Sequence, residues 1–94
     1  MAIADVLKSA GLHEAAESGK KVNDKIAEDF HPSDEGYAKC IQNLSEEEFE
    51  AFAVYKAHIT LDACNLSNED MAEQLPRTIN NAKIQYMKKY NRSA

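Results

Sequence analysis

Residues 75–90, LPRTINNAKIQYMKKY, hold the side chains in this chain best suited to recognising another molecule. The amides of Asn80, Asn81 and Gln85 can pair bidentately with an adenine edge, and Lys83 can reach a guanine edge or a phosphate. The segment contains no acid, although the 94-residue chain has a net charge of -5. All 16 Asp and Glu lie in residues 1–75, beside six lysines. Residues 76–94 carry Arg77, Lys83, Lys88, Lys89 and Arg92 and no carboxylate side chain. Charge divided in this way points to contact with nucleic acid or another acidic surface. It also suits the plain electrostatic preference of a helix C-terminus for cations.

A helix has to hold these groups in line. Ile79, Ala82, Tyr86 and Tyr90 recur at i, i+3, i+7 and i+11, the period of a buried helical stripe. That leaves Asn80, Asn81, Lys83, Ile84, Gln85, Lys88 and Lys89 facing outward. Thr78 suits the N-cap of this last helix, roughly Ile79–Tyr90. Pro76 predicts that the preceding helix stops near Leu75, because proline lacks an N–H and restricts its predecessor.

Two earlier helix starts share one layout, NLSEEEF at 43–49 and NLSNEDM at 65–71. Ser45 and Ser67 stand at N-cap, Glu48 and Asp70 at N3, and Leu44/Phe49 and Leu66/Met71 at the staple positions. The helix from Ser45 runs to about Ala63 and is apolar on more than one side, which makes it the central helix. The helix from Ser67 is short. Further back, residues 2–10 form a short apolar stretch ended by Gly11, and a second helix carries Leu12, Ala15, Val22, Ile26 and Phe30. Gly19 weakens its middle, and Pro32 ends it near Phe30. Ser33 is placed to cap a third short helix bearing Tyr37, Cys40 and Ile41.

Long helix, short helix, tight turn and basic last helix over 45–90 resemble a tri-helical helix-turn-helix unit of the Myb/SANT-like or homeodomain-like kind. LSEEEFEAF is similar to the opening of the first helix of that class, EDMAEQLPRT to its second helix and turn, and RTINNAKIQYMKKY to its third. The resemblance implies Ala72 at the closest approach of the second and third helices. It implies Asn80, Asn81, Lys83 and Ile84 near bases, with Arg77, Thr78, Lys88, Lys89 and Arg92 on phosphates. The chain departs from the pattern in having no Trp and in placing Pro76 where a Gly is common.

The reading is therefore one all-α domain of four to five helices: acidic N-terminal helices over 1–42, the helix-turn-helix-like unit over 43–90, and a tail over 91–94. The expected function is that of a small DNA-binding, transcription-regulating protein that uses the basic last helix. Its acidic part would face a protein partner or form a homodimer. The alternative is an acidic helical adaptor or inhibitor, a nucleic-acid mimic, with no DNA contact of its own. No catalytic, cofactor or metal site is expected. The chain has no Gly-rich phosphate loop, nucleophile elbow or Cys-His motif, and His13, His31, His58, Cys40 and Cys64 do not pair at metal-ligand spacing. Two cysteines, no secretory leader pattern and no run of 18 apolar residues make the expectation a cytoplasmic protein.

Overall fold

Ser45 shows how directly the local sequence builds this structure. Its hydroxyl accepts from Glu48 N–H at 3.0 Å while the Glu48 carboxylate accepts from Ser45 N–H at 2.9 Å, a complete capping box. These bonds from Ser45 hold the Glu48 carboxyl below its ordinary value. Ser67 likewise accepts from Asp70 N–H at 3.2 Å, but the return bond of a box is absent among the described residues.

The computed structural model describes the backbone of residues 2–92 and the side chains of residues 5–92. Among them are five helices and no strand: α1 Ala2–Ser9, α2 His13–Asp29, α3 Glu35–Asn43, α4 Glu46–Ala63 and α5 Asn68–Lys89. The all-α expectation holds. Gly11, after α1, adopts φ 73°, the left-handed conformation that glycine takes without strain. Helix α3 starts later than expected. Its N-cap is Asp34, and Ser33 instead meets the His31 Nδ1 atom at 2.8 Å.

Helix α4 is the central element, with α2 and α5 packed against it in antiparallel fashion. His13 and His58 line one cavity near one end, and Ile26 and Glu48 line another near the other end. The α2–α4 crossing is closest at Gly19, where an added Cβ would overlap the Ala51 carbonyl. The glycine that weakens α2 as an isolated helix is thus the residue that lets two backbones meet. The interior divides into two clusters. One joins Val6 and Leu7 of α1 to Val54, Ala57 and Leu61 of α4 and to Met71, Leu75 and Ile79 of α5. The other joins Ile26, Tyr37, Ile41, Phe49, Phe52 and Tyr90.

The expected break at Pro76 is not there. Residues 68–89 form one 22-residue helix with Pro76 inside it, exposed to solvent. The physical reason is packing. Met71 and Leu75 before the proline, and Ile79 and Ala82 after it, all bury in the same cluster. An unbroken helix delivers all four to one face, and their burial outweighs a proline cost of about 3 kcal/mol. Thr78 is correspondingly not an N-cap; its hydroxyl donates back to the Gln74 carbonyl at 2.8 Å.

Candidate functional site

With α5 continuous, its exposed face can be laid out at 100° per residue. Arg77, Asn81, Ile84 and Lys88 fall at i, i+4, i+7 and i+11 along one strip, with Asn80 beside it. All five are exposed. Ile84 keeps 43% of its surface in solvent, one of two large apolar side chains so exposed among the described residues. The same strip continues backward through Glu73 and Asp70, which are also exposed, so the helix face is acidic at its start and basic at its end. That order follows the macrodipole.

The turn expected at Leu75–Thr78 is absent, so the two helices that the helix-turn-helix resemblance requires are a single helix. Ala72 is exposed and lines a cavity with Asp5, Val6 and Ser9 of α1, not a crossing between two halves of 68–89. The structure also separates the basic residues into two groups. Arg77, Lys88 and Lys89 project into solvent, Lys89 with its amine 5.5 Å from the Tyr90 ring centre. Lys83 and Arg92 turn inward.

Lys83 pairs with Glu50 of α4 and keeps only 31% of its side chain exposed. Arg92 is more deeply held, with 6% exposed. One guanidinium nitrogen donates to the Ile41 carbonyl at 2.7 Å and to the Gln42 carbonyl at 3.2 Å. The group also lies 4.3 Å from the Phe49 ring centre and 3.7 Å from a Glu46 oxygen. Arg92 therefore fastens the end of α5 to α3 and α4 rather than holding a phosphate. Nor are residues 91–92 a loose tail, since Arg92 N–H donates to the Met87 carbonyl at 2.9 Å; residues 93–94 lie outside the described residues.

Nothing in the local sequence marks Glu46 and Glu50 as the partners of these cations. Lys56 is a second residue that local reading passes over. Its amine sits 5.2 Å from the Phe52 ring centre and 5.8 Å from that of Tyr86, and burial pushes its pKa down. Among the described residues no group of three His, Cys, Asp or Glu is placed to hold a metal ion, and no helix is long and apolar enough to cross a membrane. His58 leaves Nδ1 buried without a partner, beside a cavity of about 90 Å³ that it shares with His13 and Tyr55.

Comparison of the chain with protein-family models, with curated proteins and with solved structures finds no match in any of the three.

Proposed function

We propose that this chain is a small acidic helical interaction module that engages a basic protein partner, as an adaptor or inhibitor. The supporting observation is the fate of its C-terminal cations. Lys83 and Arg92 are drawn onto Glu50 and Glu46, so two of the five C-terminal cations are taken up by pairs within the chain, each with one carboxylate. Glu14, Asp24, Glu28, Asp29 and Glu47 meanwhile stand exposed or at the rim of α2 and α4, with no cation within salt-bridge distance among the described residues. A surface of this sign attracts lysine- and arginine-rich partners and repels phosphate backbones.

A second reading, a small DNA-binding and transcription-regulating protein, keeps the support of the exposed Arg77, Asn80, Asn81 and Lys88 strip. The two separate in one pair of titrations, against polylysine and against duplex DNA, each at low and at moderate salt. The interaction module binds polylysine, loses affinity as salt rises, and loses it again on charge reversal at Glu14 and Glu28. It shows no DNA binding at low salt. DNA binding that weakens in Lys88→Ala or Lys89→Ala would replace this reading with the second.

A further inference from the structure

Two cavities open where α2 passes the start of α4. One, about 440 Å³, is lined by Val22, Ile26, Phe30, Cys40 and Leu44 among others. The other, about 610 Å³, is lined by Ala15, Ser18, Val22 and Ala51 together with four glutamates. Both include Val22 and Glu48, so they form one groove. It follows α2 from Ala15 to Phe30, a length of about 22 Å at 1.5 Å per residue. Ala15, Val22, Phe30 and Leu44 are each half-buried, with one side packed on the interior and the other toward solvent.

The rim of this groove is charged and unbalanced. Asp29, Glu46, Glu47, Glu48 and Glu50 stand on it against Lys25 and Lys39; Glu46 and Glu50 are already paired with Arg92 and Lys83, which leaves Asp29, Glu47 and Glu48 outside any ion pair among the described residues. Lys39 is already within 3.7 Å of the Glu35 carboxylate. An apolar floor of this length with an acidic rim has the form of a helix-binding groove, in which an amphipathic helix lays down its apolar face.

We propose that the groove binds a basic amphipathic helix of about four turns from a partner protein. The inference rests on the reading of the chain as an acidic interaction module and names the surface and the partner's chemistry. Lysines flanking the apolar stripe of such a helix meet the carboxylate rim, and the stripe covers Val22, Phe30 and Leu44. Anionic ligands are disfavoured by the same rim. A second copy of this chain is a poor occupant, since the basic strip of α5 offers Ile84 as its one large exposed apolar side chain.

The experiment uses the full chain and a synthetic 18-residue Leu/Lys amphipathic peptide bearing one Trp on its apolar face. The chain has no Trp, so the emission comes from the peptide alone. A blue shift saturating at one peptide per chain is expected. A scrambled peptide of equal charge should bind about tenfold more weakly. The double variant Asp29→Lys/Glu47→Lys should lose about tenfold in affinity, and the charge-matched Asp62→Lys/Glu73→Lys, away from the groove, no more than about threefold. Val22→Glu makes the groove more acidic but less apolar; the proposal expects weaker binding, whereas attraction by charge alone gives tighter binding. Circular dichroism at 222 nm confirms that each variant remains folded.

Equal losses in the two double variants, or tighter binding by Val22→Glu, would overturn the groove while leaving the acidic module standing. Absence of peptide binding by an unmodified chain that still binds polylysine would overturn the groove alone; absence of binding to both would overturn both. Self-association that the peptide reverses would assign the groove to a second copy and overturn the proposal.

Discussion

Tyr37 concentrates several of this protein's forces in one side chain. It is buried, with 3% of its surface exposed, and its ring lies 5.2 Å from that of Tyr90. Burial first, and then the nearby Tyr86 and Tyr90, push its phenol from the ordinary value of 10.0 up to about 12. A group whose folded pKa is raised stabilises the fold fully below its unfolded value and loses that effect as pH rises toward the folded one. Stability should therefore be flat near neutrality on this account and fall between about pH 10 and pH 12. Tyr37→Phe should leave the denaturation midpoint nearly unchanged at pH 7 and reduce the alkaline fall. Urea titrations at pH 7, 9, 10 and 11 would check it. The Tyr86 phenol is also raised, mainly by burial, so part of the slope should survive the substitution.

At the scale of the element, α5 tests a rule of local structure against tertiary packing. Pro76 is exposed, donates no N–H, and leaves the Ala72 carbonyl without its usual partner. Pro76→Ala should stabilise the protein by about 1–3 kcal/mol, read as a higher urea midpoint, with helical signal unchanged or slightly greater. Part of the gain is offset because proline also restricts the unfolded chain. A loss of stability would show that the proline fits a bend the packing needs. The same helix marks the boundary of what was legible in the sequence. Caps at Ser45 and Ser67, the stop before Pro32 and the Ile79–Ala82–Tyr86–Tyr90 stripe all depend on neighbours a few residues apart. These features were readable. The continuity of α5 depends on α4, and the local proline rule pointed the other way. The candidate surface divides on the same line. Exposure of Arg77, Asn80, Asn81, Ile84 and Lys88 follows from helical period alone, whereas the role of Arg92 depends on carbonyls 51 and 50 residues away.

At the scale of the whole molecule, the two apolar clusters are walled by the same helices. Helix α4 gives Val54, Ala57 and Leu61 to one and Phe49 and Phe52 to the other. Helix α5 gives Met71, Leu75 and Ile79 to the first, and Tyr86 and Met87 pack against the second. Neither cluster can lose these helices without exposing the other, so the chain should unfold in one transition. Leu75→Ala, in the first cluster, should lower stability by about 2–5 kcal/mol. The shift should be equal when followed, in a Tyr55→Phe background, by far-ultraviolet dichroism and by tyrosine emission, which then draws on Tyr37, Tyr86 and Tyr90 in or against the second cluster. Unequal shifts would mean that the clusters open separately.

The shared α5 also sets a timetable for synthesis. It is the last of the five helices to be made, and Arg92, which ties its end to α3 and α4, comes later still. Until then α1 to α4 can gather but lack the wall that covers Val54, Leu61 and Phe52. Translation therefore proceeds with much of the interior facing solvent or a chaperone, and closure comes as one late step. A chain truncated between Ala63 and Pro76 should be sticky and protease-sensitive, whereas one carrying α5 and Arg92 should show the finished fold.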